Sequence, residues 1–316
     1  MREIGGYMEL DKHYGSIYHD DAVALNCGRA CLEYLVKAKN ISKIYIPYFC
    51  CDSVLTPLKR HGIGYEYYHI DSDFRPVFDK ELKKDEWLYI INYYGQITND
   101  EILVYKEKHE RIIADYAQSY FQKPVSGVDT LYTCRKFFGV SDGAFLYTDR
   151  LLDGLSQDES FERIHFVLGR YERNAEEFYK ESANNNEMFD AQEVKAMSKL
   201  TENLLRALDY NWIKKRRTDN FEFLNENLGK HNKLSIKNTV GAFMYPFYAE
   251  NGEKIRKTLQ KEKIFIPTLW PDVFEICPEG SIEYDYAKNI LPIPVDQRYD
   301  CNTMAYLVEK IKNFNI

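Results

Sequence analysis

The sequence has no apolar run approaching the roughly 20 residues that a helix needs to cross a bilayer, so no membrane-spanning helix is expected. It has no CxxC pair and no closely spaced histidine pair, which argues against a structural zinc site. Positive charge is not in excess: 42 Lys and Arg against 49 Asp and Glu leave a formal net charge of −7. A nucleic-acid footprint needs a concentrated basic face, so no nucleic-acid partner is expected. Seven cysteines show no framework spacing, with Cys50 and Cys51 adjacent and Cys277 and Cys301 isolated, and reduced thiols are the expectation. The segment from Met1 to Leu10 lacks the basic start and apolar stretch of a secretory signal. A cytoplasmic protein that meets small molecules is therefore expected. Internal repeats and low-complexity segments are absent as well.

What is present is an alternation of short apolar runs and helical stretches over 316 residues, a length that suits one large α/β domain with a smaller one attached. The pattern predicts a three-layer large domain with a mainly parallel sheet over residues 1–205, followed by a smaller C-terminal α+β domain over 206–316. Strands are expected at 43–46, 65–70, 87–92, 111–114, 130–133 and 144–148, and helices at 30–38 and 51–61. From 161 to 228 the sequence turns to long charged helix formers, interrupted by Asn184-Asn185-Asn186. Strands at 242–248 and 264–267 and a terminal helix at 303–313 complete the prediction.

Open parallel sheets bind ligands beyond the carboxyl ends of their strands, and three polar features fall there. The turn Gly28-Arg29-Ala30 opens a helix whose amides could hold an anion, although such a turn is commonly no more than a helix cap. Asp115 ends an apolar strand, where a carboxylate needs a cationic or hydrogen-bonding partner; capping of the next helix is the rival role. Lys136 follows the next strand among aromatic residues, where partial desolvation and neighbouring Arg135 both favour a neutral, nucleophilic amine.

In this order, with Lys136 twenty-one positions after Asp115, the residues resemble the DegT/DnrJ/EryC1/StrS aminotransferases. The resemblance runs through Asn26-Cys27-Gly28-Arg29-Ala30, Pro47-Tyr48-Phe49-Cys50, Asn92-Tyr93-Tyr94-Gly95, Asp115-Tyr116-Ala117-Gln118 and Arg135-Lys136 with Asp142-Gly143. It continues in Arg216-Arg217 with Asn220, Leu269-Trp270-Pro271 and Ile290-Leu291-Pro292-Ile293-Pro294. It implies the fold of pyridoxal-phosphate-dependent transferases, pyridoxal 5′-phosphate as cofactor, and a homodimer. It also implies transfer of an amino group from an amino acid, by expectation glutamate, to a keto sugar that can be nucleotide-linked. Polysaccharide synthesis is the usual setting of such enzymes. Elimination or dehydration at a sugar carbon, or a non-catalytic binding or regulatory role, are the alternatives.

By the same resemblance Lys136 is the Schiff-base lysine and proton shuttle, Asp115 the partner of the pyridinium nitrogen, and Gln118 a neighbour of the ring's phenolic oxygen. The Gly28 turn, with the amides of Arg29 and Ala30, is the phosphate cradle, and Thr133 adds a hydroxyl. Tyr93 and Tyr94 border the substrate. Cys51 stands where the family often has an aromatic shelf for the ring. Two further groups are read from the residues alone. Arg298 is a candidate clamp for the donor's carboxylate or a member of an interdomain salt bridge. Lys214-Lys215-Arg216-Arg217 is a candidate anion-binding run or a solvated helix face.

Overall fold

The computed structural model describes residues 4–314. Residues 1–3 of the N-terminal segment considered above lie outside the described residues, as do Asn315 and Ile316. Strands β1 (Val23–Leu25), β2 (Lys43–Pro47), β3 (Gly64–Ile70), β4 (Pro76–Val77), β5 (Glu86–Ile91), β6 (Ile112–Asp115), β7 (Asp129–Thr133) and β8 (Ala144–Tyr147) form one sheet. Its order is β1-β8-β7-β6-β5-β2-β3-β4. The five strands from β7 to β3 are parallel, while β8 and β4 run antiparallel to their neighbours. Ile112, Ile113, Leu88 and Ile90 are at most 1% exposed, the continuous burial expected of strands covered on both faces.

Connection hand explains the layers. Helices α1 (Gly28–Lys39) and α2 (Leu55–Arg60) carry the chain one way across the sheet, from β1 to β2 and from β2 to β3. Helix α3 (Asn99–His109) carries it the other way, from β5 to β6. Right-handed crossovers therefore put α3 on the face opposite α1 and α2. The direction reverses between β2 and β5, and the crevice beyond their carboxyl ends is where such a sheet takes a ligand.

The helical segment departs from expectation. It comprises α4 (His165–Glu172), α5 (Tyr179–Met188), α6 (Lys199–Arg206) and α7 (Tyr210–Leu228), and the asparagine triplet lies inside α5 rather than breaking it. Asparagine disfavours helices by competing for nearby backbone groups, but here two of the three side chains are engaged elsewhere. Asn185 donates to the Ser141 carbonyl at 2.8 Å, and Asn186 Oδ1 accepts from Arg135 at 2.9 Å. The break comes at 189–198, where the chain returns to the sheet: Asn26 N donates to Lys195 O at 3.0 Å, and Met197 N to Ala24 O at 3.2 Å.

Strand β9 (Met244–Tyr248), helices α8 (Gly252–Lys261), α9 (Val273–Ile276) and α10 (Ile282–Asn289), strand β10 (Ile290–Pro294) and helix α11 (Cys301–Lys312) complete the chain. A second core of Phe221, Leu224, Tyr245, Phe247, Leu291, Ile293 and Met304 joins α7, β9, β10 and α11. The strand expected at 264–267 is not formed. The Ile264 amide is spent on Leu259 O at the end of α8, and Pro267 has no amide to give. The partner of β9 is instead β10, with Pro292 opposite Pro246, an arrangement open to proline because a two-stranded ladder has free edges.

The two cores are joined through α7. Its buried stripe of Ile213, Arg217, Asn220, Phe221, Leu224 and Leu228 contains one full cation. Arg217 is 1% exposed and donates to Gln297 Oε1 (2.8 Å), Ala242 O (2.9 Å) and Phe137 O (3.0 Å). Gln297 Nε2 reaches the same Phe137 carbonyl at 2.8 Å. Arg217→Ala is expected to lower the unfolding free energy by about 3–5 kcal/mol, because it strands several buried acceptors at once. Urea unfolding measures this directly, and a loss below about 1 kcal/mol would mean that the junction holds without it.

Candidate active site

The carboxyl ends of β2, β5, β6 and β7 and the start of α1 converge on one region. Strand β6 delivers Asp115 there as its last residue, 7% exposed. Its Oδ2 accepts from the Tyr89 hydroxyl at 2.7 Å and its Oδ1 from the Ala117 amide at 2.7 Å. Burial raises the pKa of this carboxyl, against the charge of Lys136, the Ala117 amide and the Tyr89 hydroxyl. Lys136 follows the adjacent parallel strand β7, so the two residues singled out from the sequence emerge at the same edge of the sheet.

Lys136 sits in a tight turn after β7, in which the Phe137 and Phe138 amides both return to Cys134 O at 2.9 Å. The backbone is fixed by the two donors on Phe137 O, while the side chain is exposed. Its Nζ lies 5.6 Å from the Phe243 ring centroid and, among the described residues, makes no ion pair or hydrogen bond. A fixed backbone carrying an uncommitted amine is what a covalent attachment point needs. Beyond the turn, Asp142 is fully buried and accepts from Ser198 N and Ser198 Oγ, each at 2.8 Å. Gly143 follows at φ +112°, where a Cβ would lie 3.2 Å from Cys134 Sγ.

Gly28 begins α1 with open space where a Cβ would stand, and Cys27 before it makes no capping hydrogen bond. The first amides of α1 are thus uncapped by a side chain, and the helix end carries partial positive charge. The Arg29 side chain folds back on Asp190, 2.8 Å away. Ala30 is buried. Thr133, the last residue of β7, is 7% exposed. Cys51, just beyond β2, is partly buried with Sγ 2.5 Å from Ser53 Oγ.

The remaining expected site residues are engaged within the chain. Tyr93 and Tyr94 are each 1% exposed. The Tyr93 hydroxyl donates to Phe49 O, and its ring packs edge-on to Trp270 at 5.3 Å. Tyr94 adopts φ 52°, held there by a 2.7 Å hydrogen bond from its amide to Gln118 Oε1. Both tyrosines are buried in packing, and Gln118 accepts from the loop after β5. Arg298 makes a two-point pair with Asp296, at 2.6 and 2.8 Å; this is a local pair within one loop, not one between domains. Of the basic run, only Arg217 turns inward, and Lys215 pairs with Asp219 at 2.7 Å on the solvent side. Helical spacing from Ile213 to Arg217, Asn220 and Phe221 carries the signal that would have separated it. Tyr89 and Gln297 were not singled out, and no local pattern marks them.

No family model matches this chain, and no curated protein matches it either. Solved structures do. DesV from S. venezuelae superimposes with a TM-score of 0.64 at 15% identity, over 93% of this chain and 84% of that one. A DegT DnrJ EryC1 StrS aminotransferase from Brucella abortus gives 0.60 at 14% identity, over 93% and 85%. The sugar aminotransferase CalS13 from Micromonospora echinospora gives 0.61 at 13% identity, over 92% and 87%. At these identities the likeness establishes the fold: the chain has the architecture of these aminotransferases along nearly its whole length.

Proposed function

We propose that the chain is a pyridoxal-phosphate-dependent aminotransferase that moves an amino group from an amino acid, glutamate by first expectation, to a keto sugar. The observation that carries this is that the adjacent parallel strands β6 and β7 bring to their carboxyl ends a buried carboxylate, Asp115, and, in the turn that follows, the uncommitted amine of Lys136. The fold likeness to a sugar aminotransferase favours a sugar acceptor by analogy. A nucleotide-linked acceptor and a setting in polysaccharide synthesis belong to the same proposal.

The residues present fit the cofactor. Lys136 is the attachment point, Asp115 the partner of the ring nitrogen, and Gln118 and Cys51 border the ring. The amides of Arg29 and Ala30, with Thr133, hold the phosphate. When bound, the cofactor supplies an electron sink for the pair left behind when a proton leaves the substrate carbon. Asp115 keeps the ring nitrogen protonated, and two donors orient its carboxylate. The Lys136 amine would act as general base and then general acid, taking the proton from the donor's α-carbon and delivering it to the cofactor's aldehyde carbon within the first half-reaction, and moving a proton in the opposite direction in the second. The exposed position of Lys136 in a single chain supports a second copy closing the site.

Wild-type protein mixed with pyridoxal phosphate is expected to gain visible absorption that Lys136→Ala does not gain. Glutamate should then bleach that band by converting the cofactor to its amine form. A wild type that stays colourless removes the proposal, and a band that survives every amino donor points to a binding protein. In equilibrium sedimentation the cofactor-loaded enzyme should be a dimer, and an active monomer would refute the shared site.

Asp115→Asn tests the carboxylate without cofactor. A carboxyl whose pKa is raised in the folded state lends stability below its ordinary value, about 4, and loses it as pH climbs through the folded value. Cofactor-free wild type should therefore gain on Asp115→Asn as pH is lowered from 7 towards 4. Urea midpoints of the two proteins at several pH values report this, and a gap that moves the other way contradicts the burial argument. Transamination by Asp115→Asn should fall at least about a hundredfold.

A further inference from the structure

Arg135, beside the site, is partly buried, and its circumstances are opposite to those of Arg217. Arg217 directs each of its nitrogens at an acceptor. Arg135 has one hydrogen bond, from Nη2 to Asn186 Oδ1 at 2.9 Å, and its guanidinium lies 4.7 Å over the Phe189 ring. Its Nε is buried with no acceptor. Among the described residues no carboxylate lies in salt-bridge reach of it, and the charged groups nearest in effect include two more arginines, Arg29 and Arg163. The acid that acts on it, Asp142, is committed to Ser198 and Thr201. Burial pulls the Arg135 pKa down to about 10. A guanidinium with a buried, unanswered Nε and no counter-charge is costly, so this group calls for an anion that the described residues do not supply.

The direction of that need is fixed by Asn186. Its Oδ1 accepts from Arg135 Nη2 at 2.9 Å and from Nη1 of Arg29, the second residue of α1, at 3.4 Å, so the arginine without a counter-charge lies beside the uncapped end of α1. Beside that end lies the open space over Gly28. Arg29 borders it, with Nε 2.8 Å from Asp190 Oδ1 but not aligned as a donor to it. A twelve-residue helix end, an unpartnered guanidinium and free volume together suit a doubly charged, compact oxyanion.

We propose that Arg135, with Arg29 at the rim and the first amides of α1, clamps a phosphate monoester, the 5′-phosphate of the cofactor, an assignment that rests on the pyridoxal-phosphate reading above. Consecutive residues then divide the work: Lys136 holds the aldehyde and Arg135 the phosphate.

The test uses the whole chain freed of cofactor, as wild type, Arg135→Gln and Arg135→Lys. Inorganic phosphate should raise the unfolding temperature of the wild type and leave that of Arg135→Gln unmoved. Pyridoxal phosphate should bind Arg135→Gln about tenfold to a hundredfold more weakly, while pyridoxal, which lacks the phosphate, binds both alike. Arg135→Lys should recover part of the difference. With no anion present, Arg135→Gln should unfold at or above the wild-type temperature, because it removes an uncompensated charge; a merely structural arginine would do the reverse. An unchanged ratio of the two affinities overturns the clamp. So does a nucleoside diphosphate whose binding weakens in Arg135→Gln while that ratio stays fixed, since the charge would then serve the substrate. Phosphate stabilisation that depends on Arg135, in a protein that binds no pyridoxal phosphate, keeps the anion site and removes the cofactor reading.

Discussion

Two donors from the C-terminal part of the chain, Arg217 Nη2 and Gln297 Nε2, meet on the carbonyl of Phe137. That carbonyl belongs to the residue after Lys136, so the position of the amine depends on how the second core docks on the first. The same guanidinium takes Ala242 O at the entry to β9 and stacks 4.6 Å over the Phe137 ring. Asn220, one turn along α7, reaches Val295 O at 3.1 Å and Tyr299 O at 3.0 Å. One helix thus gathers the lysine turn, the second sheet and the loop before α11. A small shift of α7 would move the Lys136 turn relative to Asp115, and this gives the buried cation a positioning value beyond its contribution to stability.

Three buried charges and one partly buried charge, Asp142, Arg217, Asp115 and Arg135, separate by how fully each is answered. Asp142 and Arg217 have all the partners they need from the chain and act as fasteners. Asp115 has two donors, neither of them a charged group in contact. Arg135 has one neutral acceptor and a bare Nε. A low-dielectric interior penalises an unanswered charge more than it rewards an answered one. The pair left incomplete comprises one anion and one cation, which a ligand carrying a charge of each sign would complete.

The sequence was most legible where apolar runs end in a polar residue. The strands that deliver Asp115 and precede Lys136 fall within a residue or two of their expected limits, because central parallel strands are specified by continuous burial. It was least legible where partners are distant. The helix runs through Asn184-Asn185-Asn186 because Ser141 and Arg135 occupy two of those side chains, and no local rule sees a contact from 44 residues away. Residues 264–267 have a strand-like composition and no ladder to join, while 290–294 contain two prolines and form one. Tyr93 and Tyr94 lie at the right place in the chain, but whether a ring faces a ligand or the core is decided by Trp270, which is supplied from far along the sequence.

The exposure of Lys136 follows from the same logic. A neutral amine is favoured by desolvation and by nearby positive charge, yet in a single chain this side chain stands in water above the Phe243 ring. Rigidity at the backbone and freedom at the amine are compatible because different groups provide them: Arg217 and Gln297 fix the turn, and nothing described in the chain holds Nζ. The remaining desolvation must come from whatever covers the mouth of the crevice. A ligand seated in the crevice would cover the amine while Arg217 and Gln297 go on holding the turn, so cover and rigidity have separate sources.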